Sequence, residues 1–220
     1  MIIAGIDEAG RGPVIGPMVM CGVSIEEEKV RELVNLGVKD SKMLTPAVRT
    51  LMAKDIRKII KDYRLVIVEP QEIDRALNNP SLNLNLLEAL KSAEIIDFLN
   101  PDQVVLDCPS TNPKAFKLDV EKKLAKTTKT EIIAQHKADV EFPVCAAASI
   151  LAKVTRDELI EKIKAQLSID FGSGYASDPK TVIFLEENWE NEKFSPIFRK
   201  TWESWRRLKR AKTQTNLAQW

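Results

Sequence analysis

Apolar residues follow two rhythms along this chain. Residues 2–6 and 17–25 are short, almost unbroken apolar runs separated by the Gly/Pro-rich stretch 10–17, a pattern that predicts two buried strands joined by a turn. Thr45-Pro46 then offers a helix cap followed by proline at the first helical position. Val48, Leu51, Met52, Ile56, Ile59 and Ile60 recur behind it at helical spacing, so a helix should run to about Asp62. A third strand is expected over 64–69, a long helix over 82–99, a fourth strand over 103–107 and a fifth over 130–135. Between residues 143 and 167 the set Val144, Ala147, Ala148, Leu151, Val154, Leu159 and Ile163 keeps helical period, and further short helices are expected after Pro179. Strands alternating with helices predict an α/β fold with a helical C-terminal region. Repeats, low-complexity tracts and long flexible linkers are absent from the sequence, which favours one compact body.

Composition narrows the class. A chain of 220 residues can bury a substantial core unaided, and 30% charged against 44% hydrophobic residues is the balance of a soluble globular protein, not of a disordered or membrane one. With 33 basic and 32 acidic side chains the net charge of +1 gives no global attraction to nucleic acid. Locally, Arg199, Lys200, Arg206, Arg207, Lys209, Arg210 and Lys212 face only Glu203, a basic stretch that reads as a solvated helix face or a phosphate-binding one. Cys21, Cys108 and Cys145 lie far apart with no metal-ligand spacing and read as reduced core residues, hence a cytoplasmic setting. The start meets a charge at Asp7 with no basic leader, so neither a signal peptide nor a membrane span is expected. A monomer is the default.

The candidate chemistry is carboxylate chemistry. Asp7 and Glu8 are expected where the first strand ends, Asp107 closes the apolar run Val104-Val105-Leu106, and Asp139 follows the fifth strand within His136-Lys137-Ala138-Asp139. Each acid alone reads most simply as an ordinary strand-end charge. If the strands are neighbours, the four converge, and their repulsion raises their pKa values unless cations offset it. Oxygen ligands without Cys or His suit Mg²⁺ or Mn²⁺, and two such ions can flank a phosphate during in-line displacement. His136, the only histidine, reads as a hydrogen-bonded structural residue. Ser149 and Lys153 fall on the helix after the fourth acid, where they satisfy local hydrogen bonds or orient that acid.

Beside the first two acids, Gly10-Arg11-Gly12-Pro13 lets backbone approach a ligand without Cβ obstruction. Close backbone contact with a 2′-hydroxyl, which both donates and accepts, would separate RNA from DNA, and Arg11 could add phosphate or base contacts. The stretch lacks the Lys-Ser/Thr ending of a Walker loop.

The whole string Gly5-Ile6-Asp7-Glu8-Ala9-Gly10-Arg11-Gly12-Pro13 resembles the signature opening of the ribonuclease HII family. Val38-Lys39-Asp40-Ser41-Lys42, Asp107, His136-Lys137-Ala138-Asp139 and the run from Ala146 to Val154 match in order. Gly172-Ser173-Gly174-Tyr175-Ala176-Ser177-Asp178-Pro179 is similar to the archaeal branch. The resemblance covers essentially the whole chain. It implies a ribonuclease H-like fold with a five-stranded mixed sheet flanked by helices, and Asp7, Glu8, Asp107 and Asp139 as a catalytic quartet binding Mg²⁺ or Mn²⁺. It also implies ribonucleotide recognition by Gly10, Arg11 and Gly12, stacking of Tyr175 on a sugar, and a phosphate contact at Lys42. The implied activity is hydrolysis of RNA in RNA/DNA hybrids and cleavage 5′ of ribonucleotides in duplex DNA, in ribonucleotide removal and DNA replication or repair. The expected organisation is a catalytic domain over 1–170, a helical region over 171–212 completing the substrate cleft, and a tail over 213–220.

In that tail Gln214, Leu217 and Trp220 have the spacing of peptides that dock on sliding clamps, although such peptides usually carry two adjacent aromatics and this one stops after one. Two other readings use the same residues: a DNA or junction nuclease of the same fold, against which Gly10-Arg11-Gly12 and Tyr175 argue, and a non-catalytic adaptor binding duplex and clamp, which loss of a carboxylate would favour.

Overall fold

The computed structural model describes the backbone of residues 1–39 and 45–217, and the side chains of those up to 211. Strands β1 (Ile2–Ala9), β2 (Met18–Glu26), β3 (Asp62–Val68), β4 (Gln103–Asp107) and β5 (Glu131–Gln135) form one five-stranded sheet in the order β3-β2-β1-β4-β5. The sheet is mixed: β1 pairs antiparallel with β2 and parallel with β4, and β4 pairs parallel with β5. The helices are α1 (Val30–Leu36), α2 (Pro46–Ile59), α3 (Pro70–Asn78), α4 (Leu84–Leu99), α5 (Pro113–Glu121), α6 (Ala138–Glu141), α7 (Pro143–Leu167), α8 (Pro179–Asn188) and α9 (Glu203–Leu217). Short 3₁₀ turns lie at Glu27–Lys29 and Ser195–Ile197.

Two compact units emerge. The first comprises Met1–Ala9, Val19–Ile67 and Leu84–Arg156, the second Gly10–Met18, Val68–Asn83 and Asp157–Trp220. Strand β2 is buried at every residue but its last, which explains why its sequence up to Ile25 is apolar save for Ser24 instead of alternating. Gly5 fixes how α7 meets β1. A Cβ there would lie 2.5 Å from the Cys145 amide nitrogen and 2.6 Å from the Val144 carbonyl carbon, so helix backbone rests on strand backbone. Helix starts follow their caps: Thr45 Oγ1 accepts the Val48 amide at α2, and Asn112 Oδ1 accepts the Ala115 amide at α5.

The second unit has its own core of Val14, Ile15, Ile160, Phe171, Phe184, Leu185, Phe194, Phe198 and Trp205. Phe184 is its hub, with ring centroids 5.6, 5.2 and 6.0 Å from Phe171, Phe194 and Phe198. Asp74 of α3 ties down the segment after the 3₁₀ turn, accepting the Lys200 and Thr201 amides at 2.8 and 2.9 Å. Among the described residues no helix is long and apolar enough to cross a membrane.

Against expectation, β1 continues to Ala9, so Asp7 and Glu8 lie inside the strand rather than past it. Short helices α1, α3, α5 and α6 also interrupt stretches whose periodicity is too brief to announce them.

Candidate active site

The matched register of β1 and β4, with Ile6 opposite Leu106, brings Asp7 and Asp107 to the same end of neighbouring parallel strands. Asp107 Oδ1 then accepts the Ala138 amide at 2.8 Å, which pins the start of α6, the turn that carries Asp139. Lys137, in the left-handed region with φ of 58°, swings the chain into that turn.

Asp7 is only 5% exposed and Asp139 8%. Burial is the largest cause pushing the Asp7 carboxyl up to about 7; repulsion from Asp107 and Asp139 adds to it, while the Ser149 hydroxyl and the Glu8 amide, 2.7 Å from Oδ1, oppose it. The buried Cys145 thiol, 3.3 Å from the Val105 carbonyl, is pushed well up by burial and by the same three aspartates. Asp7 thus senses Asp107 and Asp139, and Cys145 senses all three aspartates. Glu8, half-buried, bears with Asp107 on the Cys108 thiol, whose pKa is raised chiefly by burial. Among the described residues no three His, Cys, Asp or Glu side chains are drawn up as a ready ligand shell. The aspartates stand within electrostatic reach of one another without closing on a point, as like charges do. An all-oxygen set with one carboxyl raised first by burial and then by like neighbours is the donor chemistry of a hard divalent cation.

Ser149 was not separable from its neighbours by sequence. Its hydroxyl serves Asp7, a carboxylate on another element, because α7 sits against β1 at Gly5. His136 Nδ1 lies 3.3 Å from the Cys108 carbonyl oxygen, the structural role expected of it.

In the second unit, the Tyr175 ring lies over Gly12: a Cβ on Gly12 would meet Tyr175 Cε1 at 3.6 Å. Tyr175 is 37% exposed. Gly174, with φ of 84°, accepts the Val14 and Ile15 amides on its carbonyl, and a Cβ there would strike the Ile15 oxygen at 2.7 Å. Arg199 corrects the sequence reading outright. It is fully buried, not part of a solvated basic face, and donates to the carbonyls of Gly10, Arg11 and Gly16. Lys42 and Trp220 lie outside the described residues, as do the side chains of Gln214 and Leu217.

Residues 4–205 match the family model described as Ribonuclease HII. The chain belongs to the ribonuclease HII family. It is 48% identical over 211 residues to the ribonuclease HII of Pyrococcus furiosus, covering 94% of this chain and 91% of that one. The crystal structure of the ribonuclease H2 from Pyrococcus horikoshii superposes with a TM-score of 0.86 at 41% identity, covering 96% of this chain and 98% of that one. A PCNA:RNase HII complex from Archaeoglobus fulgidus gives 0.83 at 38% identity, with 92% and 96% covered. Membership in the ribonuclease HII family makes the chain an enzyme of the ribonuclease H type, and the mixed sheet flanked by helices is that fold.

Proposed function

We propose that this enzyme hydrolyses the RNA strand of RNA/DNA hybrids and cuts 5′ of ribonucleotides embedded in duplex DNA, leaving 3′-hydroxyl and 5′-phosphate ends, in ribonucleotide removal during DNA replication and repair. The observation that carries the reading is the buried Asp7, raised to about 7 beside Asp107 and Asp139. A carboxyl raised by burial, with like neighbours adding to the shift, is arranged for a positive charge to arrive.

Asp7, Glu8, Asp107 and Asp139 would hold Mg²⁺ or Mn²⁺. When bound, the cation supplies positive charge against the scissile phosphate and its leaving oxygen. The protein's part is orientation. The Ser149 hydroxyl and Glu8 amide fix the Asp7 carboxyl, the Ala138 amide fixes Asp107, and burial keeps bulk water from Asp7 and Asp139. Gly10, Arg11 and Gly12 contact the ribonucleotide, and the half-open Tyr175 ring beside Gly12 stacks on a neighbouring sugar. Lys42 contacts phosphate. The existence of an Archaeoglobus fulgidus complex with PCNA supports a sliding-clamp role for Gln214, Leu217 and Trp220.

Incubation with Mg²⁺ or Mn²⁺ and a duplex bearing one ribonucleotide should give one cut on its 5′ side. An all-DNA duplex should stay intact, and Asp107→Asn should lower the rate by at least about 100-fold, the scale on which loss of one stabilising group acts. Equal cutting of all-DNA and ribose-containing duplexes would overturn the substrate assignment.

A further inference from the structure

The loop Gly10–Met18 opens the second unit, and its carbonyl oxygens are claimed one after another by the C-terminal segment. Arg199 Nη2 donates to the Gly10 oxygen at 2.6 Å, Nη1 to the Arg11 oxygen at 3.0 Å and Nε to the Gly16 oxygen at 2.9 Å. Trp202 Nε1 donates to the Gly12 oxygen at 2.8 Å. The Arg199 guanidinium lies 4.8 Å from the centre of the Trp202 ring, so the two donors brace each other. Ile197 O accepts the Gly16 amide and Val14 O accepts the Arg199 amide, completing the clasp.

A planar trans peptide carries its C=O and N–H in opposite directions. No described peptide bond is cis. Turning the Gly10 and Arg11 carbonyls toward Arg199 therefore turns the Arg11 and Gly12 amides the other way. Gly10, with φ of 79°, permits the bend, and consecutive amides facing one way form a concave donor site for an oxygen. The third carbonyl, that of Gly12, has Pro13 behind it and no amide of its own to aim; by holding it, Trp202 limits rotation of Gly12 and so of the amide on the same residue. Tyr175 borders the same glycine.

We propose that Arg199 and Trp202 are positioning residues that set the enzyme's discrimination between ribose and deoxyribose, by fixing the carbonyls of residues 10–12 so that the Arg11 and Gly12 amides stay aimed at the sugar. This rests on the assignment of Gly10-Arg11-Gly12 as the ribonucleotide contact. Arg199 is fully buried, and the role assigned to Trp202 is exerted through its bond to the Gly12 oxygen. A guanidinium suits the task because its fork supplies several fixed donors at once, whereas an ammonium is a single point charge on a flexible stem.

The test uses the full-length enzyme in EDTA and two duplexes identical save for one 2′-hydroxyl. The quantity read is the all-DNA Kd divided by the one-ribonucleotide Kd. Trp202→Phe keeps the ring and removes the donor; it should melt like the wild type, bind all-DNA duplex within about twofold of it, and lose about tenfold in the ratio, the worth of about one hydrogen bond. Arg199→Lys should lose more, and in Mg²⁺ both should show the loss in cutting of the ribonucleotide substrate. An unchanged ratio in folded Trp202→Phe overturns the proposal. So does loss of the cooperative melt in both variants, which would make the clasp a matter of folding alone. A wild-type ratio near one instead brings down the functional assignment of the loop, and the positioning role with it.

Discussion

Asp7 concentrates the physics of the site in one side chain. Its carboxyl, ordinarily near 3.8, is raised to about 7 by burial first and by Asp107 and Asp139 after that. An acid whose pKa is higher in the folded state binds more protons folded than unfolded between those values. In metal-free buffer, the contribution of Asp7 to stability should be greatest below about pH 4, fall as the pH rises toward 7, and level off above it. Asp7→Asn removes the titration: its unfolding free energy should match the wild type near pH 4 and exceed it at pH 8 by about a few kcal/mol, on the order set by the shift. Parallel melting curves for the two proteins across that range would refute the account. Asp107 was legible as a candidate because it closes an apolar strand, and Asp7 and Glu8 because they break the apolar run of β1, although β1 carries them inside its length. Ser149 was not, since its link to Asp7 needs α7 folded against β1. Arg199 was misread because a charge in a basic run looks solvated; nothing local announces backbone carbonyls that wait for it inside the second unit.

At the scale of elements, legibility tracked length and caps. The fourth strand, the Thr45-Pro46 helix start and the helix over 143–167 agree closely with β4, α2 and α7 because apolar runs, a cap and seven turns of periodicity leave little freedom. Helix α3 went unseen: over nine residues it buries only Pro70, Ile73 and Ala76, too few positions to establish a period. Helix α5 likewise shows just Phe116 and Val120 to the core. The most exacting contact between elements is Gly5 against the Val144–Cys145 peptide. Gly5→Ala should cost about 3 kcal/mol, since backbone cannot step aside as a side chain tip does, and should lower the melting temperature by roughly 6–12 °C. Calorimetry would show it; an unshifted midpoint would mean that α7 slides freely on β1. The same shift moves Ser149 away from Asp7, so activity should fall further than stability alone explains.

Over the whole molecule, the proposed clamp contact of the tail should be separable from cutting. Deleting residues 214–220 should leave cutting of short duplexes within about twofold of the full chain while abolishing retention on immobilised sliding clamp; a drop in intrinsic cutting would show that the tail belongs to catalysis instead. Sequence resemblance reached the fold class and the family here because its motifs recur from one end of the chain to the other, and the family match spans residues 4–205. The loop that opens the second unit has a temporal consequence. Gly10 leaves the ribosome 189 residues before the Arg199 guanidinium that clasps it. At 5–20 residues per second the nascent chain spends roughly ten to forty seconds with that bend unfastened. The loop proposed to read the sugar thus takes its clasped shape only after residue 199 has been made, and a product terminated before Arg199 lacks the fastener altogether.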